Sequence, residues 1–424
     1  MSLEQARQRI ARWQPRINAF VSTEPRAAGS GRGPLAGRAL AHKDMFYRAG
    51  LVSNCGSKIR KGWVAAETAA VLERLDAAGA LDIGTLNMAE FAYGPTGHND
   101  HWGDCCNPWN PEYITGGSSS GSAAAVAAGI VFAALGSDTG GSIRLPASAC
   151  GVTGLKTTWG RVSRHGAMPL SHSLDTIGPL ARSAEDCALV YGVIAGRDVR
   201  DPVTVHAPAE VAADGMARTI AISSRWIREN AHPEIAQAIL DAARCFHLVE
   251  AEPPPFDLLS AHCLTVMQSE ASAQHAQWMR ERPQDYSSAV RARLEAGFAI
   301  PAAQYVEVLR LRGAWLERFC GETLRQADAY LVPAIAVPLP TRAETGPRGG
   351  PDMPQRLAEV TRLTRWVNYL GVPSLSLPCG FDSRGLPIGL QLVGRPFAEG
   401  TLLAAGRAYQ RATDWHRRLP PDPR

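Results

Sequence analysis

A serine can act as a nucleophile only if something takes its proton, and one group able to do so, the lysine side chain, is scarce enough in this chain to examine case by case. Of its 44 basic residues four are lysines: Lys43, Lys58, Lys61 and Lys156. Two glycine-serine runs accompany them, TGGSSSGS at 115–122 and GSDTGGSIRLP at 136–146. Glycine loses more entropy on folding than any other residue, so paired glycines mark unusual dihedrals or a close backbone approach. Such runs suit a flexible linker, a phosphate cradle or the floor of an active site.

A Walker-type cradle needs Gly-Lys-Ser/Thr, and no lysine lies between Lys61 and Lys156; GxGxxG spacing is missing there too. Gly117–Gly121 matches GxSxG centred on Ser119. That elbow needs a strand immediately before it, and the preceding NPWNPEYIT is broken by proline. HNDHWGDCC, 98–106, gathers His98, Asp100, His101, Asp104, Cys105 and Cys106, but the spacing fits no common zinc pattern. A polar surface loop, and no metal, is expected there. The fourth possibility is a serine activated by a neutral lysine. Lysine titrates near 10.4 in water, so burial must lower that value. Lys43 follows the apolar stretch Leu35–Ala41, with His42 and Asp44 directed elsewhere. Lys58 and Lys61 flank Arg60 and read as solvated. Lys156, in GVTGLKTTWGR, is the rival and reads equally well as structural.

The elements that must position these groups follow from periodicity and breakers. Helices are expected over residues 1 to about 15, 65–80, 122–134, 183–196 and the closing EGTLLAAGRAYQRA. Strands are expected in PLAGRALAHKDMF before its polar end, LDIGTLN, VFAALGSD and YLVPAIAVP. PSLSLPCGF and LPIGLQLVGR form a strand pair joined by the DSRG turn. SIRLPASAC is a short helix starting at or near Ser142, so Gly140-Gly141-Ser142 sits on a strand-loop-helix junction. Residues 342–354 read as a Gly/Pro-rich loop. Strands alternating with helices predict an α/β fold: a single domain over 1–424 with a mixed β-sheet sandwiched between α-helices. Residues 199–325 form its variable, mainly helical, substrate-side region.

The whole stretch from GGSSSGS through GSDTGGSIRLPASACGVTGLK resembles the signature of the amidase signature family. The likeness extends to HKD at 42–44, to SLDTIGPLARSAED at 173–186, and to NYLGVPSLSLPCG and GLPIGLQLVGRP near the C-terminus. It implies hydrolysis of a linear amide by a Ser-Ser-Lys triad: Ser142 as nucleophile, Ser118 as the bridging serine 24 positions earlier, and Lys43 as base. It implies an oxyanion hole from the backbone amides of Thr139, Gly140, Gly141 and Ser142, and a cis peptide at Gly117–Ser118. Glycines let such amides converge on one point, and a helix N-terminus adds a favourable dipole. Asp138 and Arg144 are expected to form a buried pair that fixes the loop, and Asp175 to tie the SLDT turn to it.

Composition is that of an ordinary globular enzyme: 424 residues, 45% hydrophobic, 20% charged, net charge +4. Nothing in it argues for nucleic acid or a membrane surface, and the longest apolar run, Ala123–Leu135, is too short to span a bilayer. Nine scattered cysteines without CxxC suit a reduced, cytoplasmic protein. The expected partner is a small-molecule amide, with no cofactor, no nucleic acid, and a homodimer left open. The alternative is the glutamine-hydrolysing amidase subunit of a tRNA-dependent amidotransferase; that subunit resembles SLDQIGP, whereas this chain has Thr176 in SLDTIGP. A non-catalytic homologue ranks lower because all three catalytic positions are intact.

Overall fold

In the computed structural model, which describes residues 3–24, 31–207, 218–346 and 349–423, eleven strands pair into one sheet. They are β1 (Phe20–Ser22), β2 (Ala39–Lys43), β3 (Leu81–Leu86), β4 (Ala133–Asp138), β5 (Thr153–Lys156), β6 (Thr176–Ala181), β7 (Thr219–Ile222), β8 (His247–Glu250), β9 (Ala329–Pro333), β10 (Ser374–Phe381) and β11 (Pro387–Gly394). Their order is β1-β3-β2-β4-β6-β5-β10-β11-β9-β7-β8. β2 lies parallel to both β3 and β4, and β7 parallel to β8 and β9; the remaining pairs are antiparallel, so the sheet is mixed.

Two apolar cores cover the sheet. Ala39 and Ala41 of β2 and Ala134 of β4 belong to one, with Trp13, Ala123–Ala127, Ala147 and Cys150 from helices. Leu40 of β2 and Ala133 and Leu135 of β4 belong to the other, with Val71, Val190 and Leu259. Alternate residues of a strand face opposite sides, so this division is the signature of a sheet buried on both faces. It explains why β2 and β4 are buried at every position.

The structure moves several expected boundaries. The alanine-rich helix runs Ser120–Ala127, not 122–134, and its residues are buried on all sides. Gly129, at φ +64, ends it before β4. The short helix after the second glycine run is Arg144–Cys150, which leaves Ser142 on the loop two residues before it. The expected loop at 342–354 holds a helical turn, Arg342–Thr345, closed by a capping box between Thr341 and Glu344. The region 199–325 carries the helices Phe256–Glu281, Ser288–Phe298 and Ala302–Arg318, but it also supplies β7 and β8 to the sheet.

Candidate active site

The ends of β2 and β4 bring the first candidates together. Lys43 closes β2, is fully buried, and donates from Nζ to Ser118 Oγ at 2.7 Å and to Ser137 Oγ at 2.8 Å. Burial pushes its ammonium down to about 7; Asp175 and Asp138 oppose that shift only in part. At that value a large fraction of the lysine is neutral near pH 7 and able to accept a proton. Its sequence neighbours are engaged elsewhere: His42 Nδ1 lies 3.2 Å from Asp82, and the Asn54 amide donates to Asp44. Ser137 joins this cluster without having been among the motif candidates. The one signal for it in the sequence is its place in GSDTGG, a residue before the ion-paired Asp138.

Ser118 follows a cis Gly117–Ser118 peptide. Gly117 admits no side chain, since a Cβ there would meet the Gly94 carbonyl oxygen at 2.6 Å. The Ser119 amide donates to the Ser142 carbonyl at 3.2 Å, which fastens the first run to the second. Ser119 Oγ is turned away and donates to the Ser137 carbonyl at 3.2 Å. Ser142 lines the adjoining cavity, and no hydrogen bond joins its Oγ to Ser118.

A buried ion pair shapes the second run. Arg144 and Asp138 meet at 3.0 Å with neither side chain exposed. Asp138 also accepts from the amides of Gly141 at 2.8 Å and Ile143 at 3.0 Å. Burial alone would raise the Asp138 carboxyl, but the Arg144 guanidinium and these donors hold it well below the usual carboxylate range. The Gly141 N–H thus donates to the loop's own carboxylate in this structure. Gly141 itself is required, because it sits at φ +128 and a Cβ would come within 2.3 Å of Thr364 Oγ1. Asp175 accepts from Thr139 Oγ1 at 2.6 Å and from the amides of Leu170 and Ser171, tying the turn before β6 to the same loop.

Other candidates fall outside this cluster. Lys156 is fully buried but donates to the carbonyls of Thr157 and Val372. Lys58 pairs with Asp285 at the surface. His98 bonds Asp104 and Thr345, and His101 bonds Glu90. The loop 98–106 is not the expected polar surface, since Asn99 and Cys105 are buried within it. Among the described residues no group of three or more His, Cys, Asp or Glu is placed to hold a metal ion. None of their helices is long and apolar enough to cross a membrane.

A cavity of about 380 Å³ opens onto Ser142, Gly117, Thr139 and Gly140. Its walls are largely apolar, with Leu170, Leu264 and Met267 among them. Tyr93, Arg293 and Arg365 also line it, three residues absent from the sequence motifs. A roomier hollow of about 550 Å³, between Val337–Pro340 and Arg384, contains none of these groups.

The family model Amidase matches residues 3–403. The chain is 36% identical to a glutamyl-tRNA(Gln) amidotransferase subunit from Methylococcus capsulatus, across 97% of this chain and 93% of that protein. The subunit of the same name from Thermotoga maritima superposes with a TM-score of 0.86 at 29% identity, covering 99% and 94% of the two chains. An inhibitor-bound structure described as a vestigial protein complex revealing the origins of an s-triazine catabolic enzyme superposes at 0.88 with 34% identity, covering 96% and 94%. These relatives correct the expectation of a chain that acts without nucleic acid and at most as a homodimer. The curated ones are subunits of a larger enzyme named for a tRNA. The sheet, the loops and these matches agree: the chain belongs to the Amidase family and is an enzyme that hydrolyses C–N bonds.

Proposed function

We propose that this chain hydrolyses a linear carboxamide through an acyl-enzyme on Ser142, with Ser118 as proton bridge and neutral Lys43 as base. The observation that carries this reading is the 2.7 Å bond from Lys43 Nζ to Ser118 Oγ, made by a lysine that burial holds near neutrality. As Ser142 Oγ adds to the carbonyl carbon, its proton passes to Ser118 and the Ser118 proton to Lys43. The amides of Thr139, Gly140 and Ser142 receive the oxyanion, the Gly141 amide being committed to Asp138. Collapse breaks the C–N bond, and the proton returns through the same relay to the leaving nitrogen. Water then attacks the ester, again giving its proton through Ser118, and releases the acid. The Ser118–Ser142 link closes when an amide fills the cavity; catalytic hydrogen bonds commonly tighten only in the substrate complex.

The relatives support a place for this chemistry inside an assembly, as the amide-hydrolysing subunit of a tRNA-dependent amidotransferase that draws ammonia from glutamine. A second reading, catabolic hydrolysis of a small nitrogen-rich amide, is supported by the likeness to the s-triazine enzyme structure and by Thr176 in SLDTIGP. Ammonia release from glutamine and from biuret-type amides separates the two. The first reading expects glutamine turnover that rises when partner subunits and glutamyl-tRNA(Gln) are added. Turnover of the small amide with none of glutamine establishes the second. Failure on every amide tested contradicts both.

A further inference from the structure

Residues 89–97, which follow β3, enclose the first glycine-serine run from two sides. The Ala89 amide donates to the Ser118 carbonyl at 3.2 Å. The chain at 94–97 packs so closely on Gly117 that a Cβ there would meet the Gly94 carbonyl oxygen at 2.6 Å and the amide nitrogens of Thr96 and Gly97 at 3.0 Å. Between these contacts the backbone takes an unfavourable course. Phe91 and Ala92 sit at φ +49 and +60, in the left-handed region that any residue with a Cβ disfavours. Two such residues in succession persist only where their surroundings over-determine them.

Two side chains supply that determination. The carboxylate of Glu90, 2% exposed, accepts from Ser57 Oγ at 2.7 Å, His101 Nε2 at 2.9 Å and the Ser287 amide at 2.9 Å. The three donors come from three separate segments, and none of them lines the cavity. Ser287 caps the helix Ser288–Phe298, which brings Ala289 and Ala292 to the cavity. The Phe91 ring is held among His275, Trp278 and Tyr286, with centroids 4.5, 5.5 and 5.8 Å away. His275 and Trp278 belong to the helix Phe256–Glu281, which brings Leu264 and Met267 to the cavity. The residues that follow, from Ala92 to Pro95, are themselves cavity wall. We propose that Glu90 and Phe91 are positioning residues for the hydrolysis: they hold the left-handed turn against which Gly117 and Ser118 rest, and so align the proton bridge with the cavity. This inference rests on the hydrolytic reading above and adds to it two residues that touch neither substrate nor reacting atoms. A misplacement of about 1 Å in such a support costs about 10²-fold in rate.

The test measures rates per labelled site in the full chain, well below the Tm of each variant. A fluorophosphonate counts the competent Ser142 and gives its labelling rate; ammonia release is followed from whichever of glutamine and biuret the wild type turns over. Glu90→Gln leaves a donor facing a donor in either orientation of its amide, and is expected to slow labelling and kcat together, about 10- to 100-fold. The rise of rate near pH 7 stays in place, because Glu90 is not among the charges that bear on Lys43. Adding Ala92→Gly to Glu90→Gln restores about 3- to 10-fold, since glycine adopts the left-handed turn without the clamp. Where Glu90→Gln does not fold, Ser57→Ala carries the test: it keeps the carboxylate, removes one donor and slows labelling about 3- to 10-fold. A Glu90 that serves stability alone would lower Tm and leave the rate per labelled site unchanged. Wild-type rates per site in Glu90→Gln or, where that variant does not fold, in Ser57→Ala overturn the proposal, as does the absence of any restoration by Ala92→Gly. A wild-type label on Ser142 with unaffected variants defeats the clamp alone, whereas no label on Ser142 defeats the hydrolytic reading and the clamp with it.

Discussion

Lys43 and Lys156 are nearly a controlled experiment within one molecule. Each ends a strand, β2 or β5, and each is fully buried. Burial pushes both ammonium groups down to about 7, with Arg144 pressing further on Lys156. They differ in what they touch. Lys43 faces the hydroxyls of Ser118 and Ser137, whereas Lys156 faces two main-chain carbonyls. A carbonyl has no proton to give, so Lys156 can only hold its strand end to the loop at Val372. Burial makes a lysine available as a base near neutral pH, but the identity of its partner decides whether it has a proton to take.

The variants that strain this comparison hardest lie on the Lys43 side. Ser142→Ala removes the nucleophile and is expected to cut ammonia release about 10⁴-fold or more. Lys43→Ala is expected to cost about 10³- to 10⁴-fold, while His42→Ala, His98→Ala and His101→Ala keep a measurable rate in the same assay. Loss of turnover in one of those histidine variants, with Lys43→Ala still active, breaks the contrast. Ser118→Ala follows at about 10²- to 10⁴-fold, because water can stand in for a relay hydroxyl but not for a nucleophile.

Lys156→Met should behave differently. It leaves the Thr157 and Val372 carbonyls unpaired, at about 1–3 kcal/mol each, and shows as a lowered Tm with turnover retained. A Lys156→Met enzyme that is stable but inactive would reverse the assignment of the two lysines. The pH profile sharpens the point. Protonated Lys43 cannot accept the Ser118 proton, so kcat/KM rises about tenfold per pH unit below about 7 and flattens above it. That profile persists in Lys156→Met, although Lys156 titrates in the same range. Ser137→Ala is the smallest effect, about tenfold or less: it removes one of the two hydroxyls facing Lys43, but not the one proposed as the bridge.

What can be read from the sequence follows from what the chemistry constrains. The two glycine-serine runs and Lys43 are legible because close backbone contacts admit only glycine and because lysines are scarce here. The Asp138–Arg144 pair and the role of Asp175 in holding Thr139 are legible for the same reason, as charges flanking a loop that must be fixed. The sheet is legible in outline. β7 and β8 hide in the helical middle because each is four residues long, and β8 is half polar. The turn at 342–345 is obscured by the glycines and prolines around it, although its Thr-x-x-Glu spacing is a capping-box signal. Tyr93, Arg293 and Arg365 lie far apart in the chain and meet only through the packing of helices on the cavity. No local pattern marks such a set. Partners of the kind the relatives' names imply are not legible in a sequence for a related reason, since composition reports net charge and not the surface that a neighbouring protein fits.

The most direct test of the Ser-Ser-Lys assignment is peptide mass mapping of the folded wild-type chain after reaction with a fluorophosphonate. One label is expected, on Ser142, absent in Ser142→Ala and formed far more slowly in Lys43→Ala. A label on Ser119, or labelling of Ser142 at the wild-type rate in Lys43→Ala, would contradict it.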